Sequence, residues 1–235
     1  MKNKKIIAVI FAGGTGSRMK ISSIPKQFME YKNKPIIIYT LEHFQNHSLV
    51  DGIVVVCISG WIDFLKEKCK EFNITKVISV VQGGMTGQES IKNGLLEVEK
   101  LFNDNPIVMI HDGVRPLINE KVITDNIECV KKNGNSITVN QATETVIKIN
   151  GENIIEISDR SKYKLARAPQ CFYLNDILSS HKKAILENKN NFIDSAMLMK
   201  YYGYNLYTVN GPSENIKITT PVDFEIFKAY MEYEG

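Results

Sequence analysis

The sequence predicts an α/β fold: a three-layer, mostly parallel sheet flanked by helices, with a β-hairpin inserted late in the chain. Two observations carry the layered sheet. Short β-rich runs alternate with helical patterns, and four of those runs are apolar almost throughout, as strands covered on both faces must be. A third observation, an Asn-Gly pair between two short β runs, marks a tight turn where the alternation breaks off. The 235 residues, 43% hydrophobic and 23% charged, suit one domain with a sizeable core.

The four apolar runs are Ile6 to Phe11, Ile53 to Ile58, Val77 to Val81 and Ile107 to Ile110. Pro35 suits the first turn of a helix reaching about Asn46, because its missing N–H would have no helical partner there. Ile62, Leu65, Cys69 and Phe72 share one helical face, and so do Ile91, Leu95, Val98 and Phe102. Both stripes are expected to be core. Thr145 to Ile149 and Ile154 to Ile157 flank Asn150-Gly151, whose residues supply the positive φ angles of a hairpin turn. A two-stranded ribbon is marginal alone, so this hairpin is expected to pack on a partner subunit. Helices near Asn175 to Glu187 and Asp194 to Tyr202, strands near Leu206 to Val209 and Ile216 to Ile218, and a helix after Pro221 complete the prediction.

Composition narrows the function. The 29 basic residues nearly balance 26 acidic ones, giving a net charge of +3 with no long basic run, so nucleic acid is not an expected partner. No apolar stretch is long enough for a membrane span, and the run after Lys5 is too short for the apolar core of a signal peptide. Cys57, Cys69, Cys129 and Cys171 form no C-x-x-C pair, which points to reduced thiols in the cytosol. His43 and His47 have zinc-helix spacing without the required glutamate, so a solvated helix face is expected.

The sharpest motif is Ala12-Gly13-Gly14-Thr15-Gly16-Ser17-Arg18, directly after the first strand. Consecutive glycines let backbone N–H groups close around phosphate oxygens, and the arginine adds a fixed cation. A Walker A loop is excluded by the absence of Gly-Lys-Ser/Thr, and a dinucleotide fingerprint by Met19 at the third glycine position. A plain turn is the remaining alternative. Lys26 follows in Pro25-Lys26-Gln27-Phe28; with Arg18 it would neutralise a triphosphate and the charge growing on departing pyrophosphate. Asp112 ends the fourth strand in His111-Asp112-Gly113-Val114-Arg115-Pro116. It would either hold Mg2+ bridging phosphate oxygens or cap a turn and pair with Arg115. Gly84 and Ser90 would contact a base and ribose, unless Ser90 serves only as a residue of the helix N-terminus.

In this order the glycine loop, Pro25-Lys26-Gln27-Phe28, Gly83-Gly84 to Ser90, His111-Asp112 to Arg115-Pro116, Thr145, Asp159-Arg160, Pro169-Gln170 and Asn215-Ile216-Lys217 resemble the methylerythritol-phosphate and ribitol-phosphate cytidylyltransferases. The resemblance implies a Rossmann-like nucleotidyltransferase fold, transfer of cytidylate from CTP to a polyol phosphate with Mg2+, and a homodimer. The dimer would be joined through a β-arm at about 139–172. It also implies that Gly113 joins the base and ribose site, that Lys217 is catalytic, and that Arg115, Lys217 and the partner's Thr145 and Arg160 receive the acceptor. Gly87, Ala168 and Ile193 depart from residues frequent in the family. The Ala12-Gly13-Gly14 opening is closer to the ribitol-phosphate branch, implying surface-polysaccharide precursors; the isoprenoid enzyme and a non-catalytic nucleotide binder are the alternatives.

Overall fold

A computed structural model describes residues 4–13 and 24–233. In chain order its strands and α-helices are β1 (Ile6–Ala12), β2 (Glu30–Tyr31), β3 (Lys34–Pro35), α1 (Ile36–Asn46), β4 (Gly52–Cys57), α2 (Ile62–Glu71), β5 (Val77–Gln82), α3 (Gly87–Leu101), β6 (Ile107–Asp112), α4 (Glu120–Asn133), β7 (Asn135–Gln141), β8 (Val146–Asn150), β9 (Asn153–Ser158), β10 (Lys164–Tyr173), α5 (Leu174–Leu186), α6 (Ser195–Tyr201), β11 (Thr208–Asn210) and α7 (Pro221–Tyr233).

Seven strands form the central sheet in the order β11-β7-β10-β6-β1-β4-β5. β1 pairs in parallel with both β4 and β6, β4 with β5, and β7 with β11; only β10 runs antiparallel, between β6 and β7. The apolar runs of β1, β4 and β6 follow from burial on both faces, whereas β5, expected to be covered in the same way, is the edge strand of the sheet, has no fully buried residue and leaves Ile78 exposed. Along β1, Ile6, Ala8 and Ile10 face one core with Leu41 and Phe44 of α1, Leu65 of α2 and Ile127 of α4. The alternate residues Ile7 and Val9 face a second core with Leu95 of α3, Ile177 of α5 and Leu198 of α6. Each face thus has its own apolar set, so no polar residue interrupts the strand.

The chain builds β1, β4 and β5 outward with α1 and α2 on one face, then returns through α3 on the other face to place β6 on the far side of β1. That reversal opens a crevice beyond the carboxyl ends of the strands, where open α/β sheets bind ligands. α7 packs outside this sandwich, Phe227 meeting the edges of Tyr31 and Tyr39 at ring-centroid distances of 5.7 and 5.3 Å.

Further expectations need correction. Ile216–Ile218 is not a strand: its backbone leaves the sheet, and the Ile218 N–H bonds the Val114 carbonyl beneath α7. His43 and His47 do not make a solvated face, since His43 bonds the Pro116 carbonyl and buried His47 bonds the Thr124 hydroxyl. Helix α4 was not anticipated, although it carries an Asn119 cap and a left-handed Gly134 at its end. The hairpin forms, as a two-stranded sheet of its own, but its turn lies one residue later than expected: Asn150 pairs with Asn153 in the ladder and only Gly151, at φ +60°, supplies a positive φ.

Candidate active site

The ends of four strands meet around one cavity of about 790 Å3. Phe11, Ala12 and Gly13 come from β1, Ile58 and Ser59 from beyond β4, Gln82 to Gly84 from β5, and Asp112 and Val114 from β6. Lys26 and Lys217 reach its wall from flanking segments. Of the residues singled out in the sequence, Ala12, Gly13, Lys26, Gly84, Ser90, Asp112 and Lys217 therefore stand together, although they span most of the chain.

In the cavity wall the backbone comes close to itself. A Cβ added at Gly13 or at Gly83 would lie 3.2 Å from the Ser90 hydroxyl oxygen, and that oxygen accepts a hydrogen bond from the Gly84 N–H at 3.0 Å. Side chains at 13 and 83 would thus crowd the polar group that fixes the loop before α3. Thr86 caps that helix by accepting from the Glu89 N–H, while the Glu89 carboxylate accepts from the Met85 N–H. Ser90 is thus both a residue of the helix's first turns and a wall of the cavity.

Asp112, which also lines the cavity, is almost wholly buried between two cations. Its Oδ2 accepts from Arg115 Nε at 2.6 Å, and its Oδ1 faces Lys217 Nζ at 2.5 Å. Burial opposes its ionisation, but the charges of Arg115 and Lys217 prevail and hold the carboxyl well below the usual carboxylate range. The turn pairing of Asp112 with Arg115 is present, and a second partner from far along the chain joins it. Arg115 also donates to the Asn215 carbonyl at 2.9 Å, and Asn215 Nδ2 donates to the Ala168 carbonyl at 2.7 Å. His111, beside Asp112, is pushed down to about 3 by burial and is a neutral spacer.

Other residues lie elsewhere. Gly14, Thr15, Gly16, Ser17 and Arg18 fall outside the described residues. Gly113 packs against Ala12, Ile10 and Ile37 and gives its carbonyl to the Thr40 hydroxyl, so it stands behind the wall. Thr145 and Arg160 lie exposed on the hairpin segment, away from the cavity of their own chain, with Arg160 donating to the Thr143 carbonyl.

The Asp112 carboxylate fits a divalent cation that takes most of its ligands from phosphates: it is ionised, it lines the cavity, and Lys217 on its Oδ1 is over a third exposed. Among the described residues no group of three or more His, Cys, Asp or Glu side chains gathers at one place, so a metal cage made of protein alone is not present there.

Comparison with known proteins agrees with this geometry. The IspD profile, described as 2-C-methyl-D-erythritol 4-phosphate cytidylyltransferase, matches residues 6–233. The chain belongs to this cytidylyltransferase family. It is 52% identical over 227 residues to a ribitol-5-phosphate cytidylyltransferase of Vibrio parahaemolyticus, covering 96% of this chain and 95% of that one. It is 51% identical, with the same coverage, to the ribitol-5-phosphate cytidylyltransferase of Streptococcus agalactiae serotype Ia. Among solved structures, the 4-diphosphocytidyl-2C-methyl-D-erythritol synthase of Anaerococcus prevotii superposes with a TM-score of 0.83 at 26% identity, over 97% of this chain and 96% of that one. For a cytidylyltransferase of this family, two residues quoted in the motifs carried no assigned task. Gln27 is buried and donates to the Ala12 carbonyl at 2.7 Å, tying the Lys26 segment to the end of β1. Asn215 ties the Lys217 segment to Arg115 and β10. The sequence signal for both was adjacency to a lysine of the site.

Proposed function

We propose that this family member transfers cytidylate from CTP to ribitol 5-phosphate, giving CDP-ribitol and pyrophosphate. The observation that carries the reading is that Lys26, Lys217 and ionised Asp112 line one cavity together with Gly13, Gly83 and Ser90. The 52% identity to a ribitol-5-phosphate enzyme supports the acceptor. A phosphate oxygen of the acceptor forms a bond to the α-phosphorus of CTP as the bond from that phosphorus to the bridging oxygen of the β-phosphate breaks, and the electron pair leaves with pyrophosphate. No covalent enzyme intermediate is required, because the acceptor phosphate is already an adequate nucleophile; alignment and charge stabilisation are the protein's task.

In this reading Arg18, the glycine loop and Lys26 hold the triphosphate, and Lys26 faces charge that grows on the leaving group. Asp112 would hold Mg2+, which would supply charge neutralisation and Lewis-acid polarisation at the phosphates. Lys217 exchanges its contact with Asp112 for the acceptor phosphate. Arg115, expected to receive the acceptor, is buried and does not line the cavity, so in this reading it keeps Asp112 ionised and oriented instead.

The active form in this reading is a homodimer. In the hairpin, Ile147 pairs with Ile157 and Ile149 with Ile154, while Lys148 pairs with Glu156 between them. Ile147 and Ile157 share a face opposite Lys148 and Glu156, the register slips before Ile149 and leaves Ile155 unpaired, and all five isoleucines are about half exposed or more. These exposed isoleucines call for a covering surface, and a second subunit supplies it while bringing Thr145 and Arg160 to the neighbouring cavity.

Pyrophosphate release with CTP and Mg2+ tests the reading, comparing ribitol 5-phosphate with methylerythritol 4-phosphate. The expected outcome is a higher kcat/KM with ribitol 5-phosphate. A higher value with methylerythritol 4-phosphate assigns the chain to the isoprenoid reaction instead, and CTP binding without release under either acceptor overturns the catalytic reading.

A further inference from the structure

We propose that Arg167 is an additional cation of the acceptor subsite, supplied by the same subunit as Lys217, and that it binds a non-bridging oxygen of the acceptor's phosphate. The proposal rests on the polyol-phosphate reading above for the identity of the anion. Arg167 lies where the pairing of β10 with β7 slips between Ala166 and Gln170, so its stretch of backbone departs from the regular ladder. Its neighbour Ala168 is joined to the cavity by a short chain of contacts: the Ala168 carbonyl accepts from Asn215, the Asn215 carbonyl accepts from Arg115, and Arg115 donates to Asp112.

Arg167 is not itself on the cavity wall, but it feels the charge of Arg115, and the charges around Arg115 do not balance. Arg115, Arg167 and Lys217 are three cations, and Asp112 offers one carboxylate whose two oxygens are engaged by Arg115 and Lys217. No carboxylate among the described residues pairs with Arg167. Its Nε is shielded from solvent with no hydrogen-bond partner. Burial first, and then the neighbouring charge of Arg115, push its pKa down, so the guanidinium sits in surroundings that disfavour a cation. Arginine nevertheless stays protonated in proteins, and a shielded guanidinium N–H without an acceptor is costly. A phosphate monoester removes both costs: it brings negative charge, and its oxygens match the planar fork of the side chain. Nothing comparable recommends a neutral ligand.

The test is steady-state pyrophosphate release with CTP, Mg2+ and ribitol 5-phosphate for the wild type, Arg167→Ala and Arg167→Lys, with melting curves for each. Loss of a charged hydrogen bond predicts that Arg167→Ala raises the acceptor KM by about tenfold or more, that Arg167→Lys recovers part of the loss, and that the KM for CTP stays within about twofold. An unchanged acceptor KM in folded Arg167→Ala overturns the proposal. So does a parallel rise in both KM values with a lowered melting midpoint, which marks a packing role. Failure of the wild type to use ribitol 5-phosphate defeats the parent reading instead. Inorganic phosphate then serves as the probe, with phosphate raising the melting midpoint of the wild type but less that of Arg167→Ala, and equal shifts counting against the anion site.

Discussion

Asp112 sits where burial should keep a carboxyl neutral, yet two cations, one from its own turn and one from the segment before α7, hold it ionised. Its folded pKa lies below its unfolded value of about 3.9, so at mildly acidic pH the unfolded chain binds the extra proton. The stabilisation is therefore complete above about pH 4 and is lost as pH falls further, towards the depressed folded value. Asp112→Asn is expected to destabilise the fold by about 3 kcal/mol at pH 7, because it leaves Arg115 buried beside Lys217 without a counter-charge. It should also remove this residue's share of the acid loss, and urea unfolding from pH 7 down to pH 3 measures both. A variant as stable as the wild type at pH 7 would deny the ion cluster its structural part. This residue also shows how far local sequence reaches: the strand-end carboxylate and its Arg115 partner, three positions on, were both legible, whereas Lys217, which meets Asp112, and Asn215, which meets Arg115, arrive only through folding of the whole chain. Gln27 was hidden for the same reason, since its bond to Ala12 joins residues 15 positions apart.

The elements that sequence specified best are those whose two faces are both buried, because there burial leaves no choice of residue type. β1, β4 and β6 read as apolar runs, and α3 read as a stripe. β10 was harder. Its first half carries Lys164 and Arg167 on exposed or half-exposed positions, and only Ala168 to Phe172 is buried, so no single period runs through it. Ile216–Ile218 misled in the opposite way: Ile218 is fully buried, but against α7 and the β6–α4 connection, with no strand beside it. Helix α3 owes its close seat on the sheet to Gly94, where an added Cβ would lie 2.7 Å from methyl groups of both Val9 and Val56. Valine is stiff about χ1, so neither can turn aside cheaply. Gly94→Ala gains helix propensity of about 1 kcal/mol but must push the helix away from the sheet, at about 1–3 kcal/mol. The expected net result is a lower melting midpoint, and a rise would mean that the layers have slack. Because Ser90 is on the same helix, the KM for CTP should rise along with the loss of stability.

At the scale of the whole molecule, the consequential feature is the separation of Lys217 from Arg160, two residues proposed to receive the acceptor. Lys217 lines the cavity of its own chain, whereas Arg160 lies exposed on the segment that carries the isoleucine-rich hairpin. If the partner's arm completes each site, the two residues never serve the same site from the same chain, and symmetry makes this testable. Arg160→Ala and Lys217→Ala homodimers should each be nearly inactive with ribitol 5-phosphate. In a mixed dimer isolated through two different affinity tags, the Arg160→Ala chain keeps its own Lys217 and receives an intact Arg160 from the other chain, so one site is whole. The other site carries both lesions. The mixed dimer should therefore recover about half of the wild-type activity, although neither parent has it. If both residues instead act within one chain, every site in the mixed dimer has one lesion, and no recovery follows. A mixed dimer of confirmed composition that stays as inactive as its parents would remove the shared site and, with it, the catalytic reason for the arm.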